Sequence, residues 1–178
     1  MRPPLEAALA AVMVETLEKL AFLFATPADE AGMEDRDGGG PMQAVRVAFT
    51  GPFRGEVELG LSPPVLDELT ANMLGSEEGD PPSTEERHDA LKELANVVCG
   101  NLLPVIGGSE AEFSIAAPRI ADTTGGGEAE GLAVLAARCR LRLENGGCRA
   151  DLRLERPHPS SAGGHGAAQN LPRKRVAP

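Results

Sequence analysis

The sequence contains no Trp, no Tyr and only five Phe in 178 residues. A core without large rings must be filled by Leu, Val, Ala, Ile and Met, converging from helices and short strands. Cysteine is almost as scarce. Cys99, Cys139 and Cys148 make an odd number with no CxxC spacing, which argues against a disulfide framework or a zinc site and favours reduced thiols in the cytosol. The only apolar run near the N-terminus, Ala7 to Val14, is too short to span a bilayer. Its flanks, Glu6, Glu15, Glu18 and Lys19, are too acidic for a signal peptide. Basic charge is also in deficit, with 17 Lys and Arg against 27 Asp and Glu, a net charge of −10. The imbalance is sharper before residue 156, because the last 23 residues hold four basic side chains and no acid. Such a body repels nucleic-acid phosphates and anionic lipid, so neither nucleic acid nor membrane is an expected partner.

The length fits one domain with a tail. Residues 1–155 form the expected domain, and residues 156–178, rich in Pro, Ser, Gly and Ala, read as a disordered basic tail. From Pro4 to about Phe24, Leu5, Leu9, Val12, Met13, Leu17, Leu20 and Phe24 recur three or four apart and predict a helix with one apolar stripe. Pro27 to Pro41 is rich in Asp, Glu and Gly and reads as a loop. Val45, Val47 and Phe49, then Val57, Leu59 and Leu61, alternate with polar or small residues around Gly51 to Gly55, the pattern of a hairpin with one buried face.

Ser62 as N-cap and Pro63 at the first helical position open a second helix that closes at Gly75. After an acidic linker, Ser76 to Pro82, a third helix is expected from about Thr84 to Leu103. Phe113, Ile115 and Ala117 suggest a short strand ending at Pro118, and Gly125 to Gly127 mark a loop. Two long strands follow. Ala133, Leu135, Ala137, Cys139, Leu141 and Leu143 are placed on one face and Arg138, Arg140 and Arg142 on the other. A turn at Asn145-Gly146-Gly147 leads to Cys148, Ala150, Leu152 and Leu154 alternating with Arg149, Asp151, Arg153 and Glu155. The fold class is therefore α+β, an antiparallel sheet with a partly wet polar face and long helices packed on the other.

The third helix holds the features with chemical content. At about 100° per residue, Asp89, Glu93, Asn96 and Gly100 fall in one narrow sector, while Leu91, Leu94, Ala95, Val98 and Leu102 occupy the opposite side. A charged outer face is ordinary for a surface helix. Asn96 and Gly100 are poor helix formers, so that face gains nothing structural from them. Gly100 removes bulk one turn from Asn96, and Val97 offers an apolar contact beside the polar pair. Other arrangements are weaker: His88 has no second His at metal-ligand spacing, and no Ser-His-Asp or phosphate-loop context surrounds the remaining candidates.

The pattern Glu93-x-x-Asn96 followed by Gly100-Asn101, with Asp89 one turn before and Pro118 beyond, resembles the active-site helix of the CheX/CheC/FliY chemotaxis phosphatases. The resemblance spans roughly Leu5 to Glu155. It implies a cytoplasmic enzyme that removes phosphate from the aspartate of a CheY-like response-regulator receiver. On that likeness Glu93 and Asn96 are the catalytic pair and Asp89 a docking or helix-terminus residue, while Val97 and Gly100, from their place on the helix face, are the further partner contacts expected. It also implies a homodimer and no metal or cofactor of its own, the Mg being supplied by the receiver. CheC-like members carry a second Glu-x-x-Asn on the first helix; here Glu15 is followed at that spacing by Glu18, which points to the CheX-like branch. The alternatives are a non-catalytic receiver-binding module of the same fold and a purely structural dimerisation domain.

Overall fold

Three helices lie on one face of a seven-stranded antiparallel sheet, in a computed structural model that describes residues 4–28, 41–75, 81–121 and 133–156. Nearly all of the loop expected after Pro27, most of the acidic linker, the Gly125–Gly127 loop and the tail from residue 157 fall outside the described residues. The helices are α1 (Leu5–Ala21), α2 (Pro63–Leu74) and α3 (Thr84–Gly107). The strands are β1 (Thr26–Pro27), β2 (Gln43–Thr50), β3 (Gly55–Leu61), β4 (Ser114–Ile115), β5 (Arg119–Ala121), β6 (Ala133–Leu143) and β7 (Gly146–Glu155). Their order across the sheet is β1-β6-β7-β3-β2-β4, with β5 also paired to β2, so the last strand in sequence is central. The α+β antiparallel class expected from the sequence is the one observed.

Both hairpins arise where alternation predicts them. Val45, Val47 and Phe49 of β2 and Val57, Leu59 and Leu61 of β3 are buried on the helix-facing side, joined there by Leu141, Ala150 and Leu152. Leu9, Met13 and Leu17 of α1, Leu69 of α2 and Leu91, Leu94, Val98 and Leu102 of α3 close over them. Burying each of these side chains larger than Ala contributes about 1.5–3 kcal/mol, and only Phe49 brings a ring to the fully buried centre.

The structure differs from these expectations at several places. α1 ends at Ala21, because Phe22 adopts a left-handed conformation (φ 56°) and its N–H donates to the Glu18 carbonyl at 2.9 Å. The Leu23 N–H then donates to the Leu17 carbonyl at 3.2 Å, a closure that satisfies two end carbonyls and turns Leu23 into the core and Phe24 out to 74% exposure. Phe24 is thus not part of the α1 stripe, and the chain continues into the short edge strand β1 against β6.

Ser62 precedes α2 as expected, with Pro63 after it, but its hydroxyl does not cap the helix. It accepts from the Gly147 N–H at 3.1 Å, while the Ser62 N–H donates to the Gly147 carbonyl at 3.0 Å. The clasp leaves no room beside it: a Cβ at Gly146 would lie 2.2 Å from the Ser62 Oγ. The strand expected over 113–117 is reduced to β4, and a second, unexpected fragment, β5, follows beyond Pro118, which has no N–H to offer a ladder. Phe113 lies outside both, its ring centroid 6.0 Å from that of Phe49 and 5.0 Å from that of Phe53.

β6 carries a bulge between Leu135 and Ala137, which moves Leu135 to the outer face, opposite Arg153 and 49% exposed. That outer face is also drier than its alternation suggests. Arg46, Glu58, Asp151 and Arg138 stand directly opposite one another across β2, β3, β7 and β6. Glu58 accepts from Arg46 Nε at 2.6 Å and Arg149 Nη2 at 2.9 Å, and Asp151 accepts from Arg138 Nε and Nη2 at 2.7 and 2.6 Å. The two acids, adjacent like charges, are buried beneath arginine side chains that neutralise them. Burial raises the Asp151 pKa, but hydrogen bonding and charge from Arg138, then Arg149 and Arg153, outweigh it and hold the carboxyl below its usual range.

Candidate functional site

α3 starts firmly because Ser83 and Glu86 form a capping box. The Ser83 Oγ accepts from the Glu86 N–H at 3.2 Å, and the Glu86 carboxylate accepts from the Ser83 N–H at 2.7 Å. The Ser83 hydroxyl also donates to that carboxylate at 2.7 Å, and this bond, then the one from the Ser83 N–H, holds the Glu86 pKa below its ordinary value. One turn on, Arg87 Nε donates to Asp67 of α2 at 2.5 Å. At the far end Asn101 Nδ2 donates to the Thr16 Oγ1 of α1 at 3.4 Å. Leu91, Leu94, Ala95, Val98 and Cys99 are buried between these anchors and Leu102 and Ile106 beyond them, so packing and polar ties together fix which face of α3 points outward.

That outward face carries Asp89, Glu93, Asn96 and Gly100, all exposed, with Val97 partly buried at its border. An ideal helix sets Glu93 and Asn96 about 4.5 Å apart along the axis and the whole set over roughly 16 Å. Lys92 Nζ donates to Asp89 Oδ1 at 3.3 Å, the one cation on this stretch of helix. The sequence-derived residues therefore share one strip. Asn101, which belongs to the same sequence pattern, serves instead as a tie to α1.

Sequence signals place the end of the helix near Leu103, just before Pro104, but α3 runs on to Gly107. Pro104 lies on the same strip, exposed, four residues after Gly100. A proline inside a helix costs about 3 kcal/mol relative to Ala and a glycine about 0.8–1 kcal/mol. Proline usually ends a helix, but here burial of Ile106 beyond it and the bond from the Gly108 N–H to the Pro104 carbonyl at 2.9 Å hold the last turn.

Among the described residues no group of three or more His, Cys, Asp or Glu has the arrangement to hold a metal ion. α3 is the one described helix long and apolar enough by composition to cross a membrane, with a mean hydropathy of 1.2, and half of that stretch is buried inside the domain. The three thiols lie in the core; burial pushes Cys99 up to about 11 and Cys139 to about 12 and raises Cys148 further.

An antiparallel sheet covered on one face by three helices, one turning a carboxylate and an amide outward, defines an α+β domain of the CheX and CheC type. The chemotaxis protein CheX of Vibrio vulnificus has the same fold, with a TM-score of 0.65 and 21% identity over 87% of this chain and 99% of that one. A CheC-like protein from Shewanella sp. PV-4 gives 0.63 and 17% over 87% and 99%. The CheX of a CheX–CheY–BeF3–Mg2+ complex from Borrelia burgdorferi gives 0.58 and 12% over 84% and 97%. No curated protein sequence matches the chain. The chain belongs to the chemotaxis phosphatase CheX family, whose model matches residues 44–134, a span that takes in all but the first residue of β2 and the whole of β3, α2 and α3.

Proposed function

We propose that this protein is a cytoplasmic phosphatase that hydrolyses the aspartyl phosphate of a CheY-like receiver, with Asn96 positioning the attacking water and Glu93 docking the partner. The observation that carries this reading is the pairing of Glu93 and Asn96, one turn apart and both exposed, on a helix anchored at both ends. Family membership supports it, as does the existence of a CheX–CheY complex with the same fold.

An aspartyl phosphate is already reactive, so catalysis needs mainly a water in line with phosphorus and neutralised oxygens. The Asn96 amide donates one hydrogen bond and accepts another, which orients a single water without acting as a base. Water oxygen bonds to phosphorus, the bond from phosphorus to the aspartate oxygen breaks, and the water proton leaves with inorganic phosphate or to solvent. Glu93 forms a charge-assisted pair with the receiver lysine and sets the docking register. Asp89 and Val97 contact the partner beside it. The protein needs no metal of its own, since the receiver brings Mg. It acts as a homodimer, with neither nucleic acid nor membrane as a partner.

The test is release of phosphate from a phosphorylated receiver of the same organism. Asn96→Ala should slow release by about 100-fold or more with receiver affinity nearly unchanged, and Glu93→Lys should weaken affinity and rate together. Wild-type turnover in Asn96→Ala refutes the water-positioning role. Receiver binding by the native protein without faster hydrolysis would make it a docking module.

A further inference from the structure

Gly100 is an interior helical glycine for which the fold supplies no reason. At Gly51, Gly55, Gly107 and Gly146 an added Cβ would come within 3 Å of the protein's own atoms, whereas at Gly100 it would meet nothing within 4 Å. Alanine would fit and would favour the helix. Four residues later stands Pro104, whose ring nitrogen carries no hydrogen and cannot make the regular i to i−4 bond to the Gly100 carbonyl. Two unfavourable helix residues thus act on one atom: one strips its surroundings of side chain, the other withholds its donor. Both are exposed and both lie on the strip with Glu93 and Asn96. In a helix whose inner face is packed, a carbonyl on the solvent side tilts outward to find a donor.

The geometry points to the main-chain carbonyl of Gly100 as a docking acceptor for the receiver, taking an N–H from a lysine or arginine on the partner surface. This rests on the receiver-binding reading above. A cationic donor follows from charge, since the strip carries Asp89 and Glu93 against Lys92 alone. Glu93 and the Gly100 carbonyl stand on either side of Asn96, roughly 10 Å apart along an ideal helix. A single ion pair at Glu93 leaves the partner free to swivel. A second contact beyond Asn96 fixes the orientation in which the amide meets the water.

The experiment compares the affinity of the full-length protein for beryllofluoride-activated receiver with its melting temperature, for wild type, Pro104→Ala and Gly100→Ala. Pro104→Ala returns an N–H to the Gly100 carbonyl, so melting temperature should rise while the dissociation constant increases roughly ten-fold or more, the worth of one hydrogen bond from a charged donor. Gly100→Ala should weaken binding by a similar factor with the helix again stabilised. A general packing defect would move stability and affinity the same way. A Pro104→Ala protein that melts higher and binds as tightly as wild type overturns the proposal while leaving the phosphatase reading intact. A wild-type protein that binds no receiver overturns both.

Discussion

Asp151→Asn should destabilise the domain by about 2–4 kcal/mol. The carboxylate is 1% exposed and held by two hydrogen bonds of 2.7 and 2.6 Å from Arg138, with Arg153 and Arg149 nitrogens at 3.7 and 3.9 Å. Removing one member of a buried ion pair costs about 3–5 kcal/mol. The arginine side chains here retain 23–35% exposure and recover part of that through water, and the asparagine oxygen keeps one acceptor. For a domain of this size the melting temperature should fall by roughly 4–16 °C. The pH dependence fixes the cause. The folded pKa of Asp151 is depressed, so its stabilisation is fully present above the unfolded value of about 3.9 and is lost as pH falls through the lower folded value. Denaturant unfolding at pH 7 and at several values below 4 should show the wild-type advantage shrinking in acid. An advantage that is absent at pH 7, or constant down to the acid limit, would refute the electrostatic account.

Gly146→Ala should destabilise by forcing a methyl against the Ser62 hydroxyl, and Ser62→Ala in the same chain should recover part of the loss; additive losses in a double-mutant cycle would contradict the clasp. Cys99, Cys139 and Cys148 are buried with raised pKa values, so at pH 7.5 they should react with a thiol reagent only as fast as the domain unfolds. Rapid native labelling of any of the three would show that its part of the core opens locally.

Local periodicity made much of this fold readable in advance. The hairpins β2–β3 and β6–β7 and the buried stripe of α3 follow from alternation or helical spacing that each segment carries within itself. The failures have non-local causes. The bulge before Ala137 is hidden because Leu135 continues an apparently regular alternation and only pairing with β7 shows the shift. The burial of Glu58 depends on Arg149, 91 residues away in sequence. β1 is two residues long and exists only because β6 is there to receive it. At the candidate site, exposure of Asp89, Glu93, Asn96 and Gly100 was legible because a helix determines its own angular spacing. The contribution of Pro104 was not, because local rules end a helix where packing of Ile106 carries this one onward.

The position of β7 between β6 and β3 also governs how the domain is born. When β3 leaves the ribosome, the strand that will cover its free edge lies about 90 residues further along the chain and has yet to emerge, which at ordinary elongation rates is roughly 5–20 s away. Throughout that interval the row Val57, Leu59 and Leu61 has neighbours on one side only. The nascent chain must carry an unfinished, aggregation-prone sheet edge until its last strand arrives, so production in the cell should depend on chaperone capacity more than the stability of the finished protein would suggest.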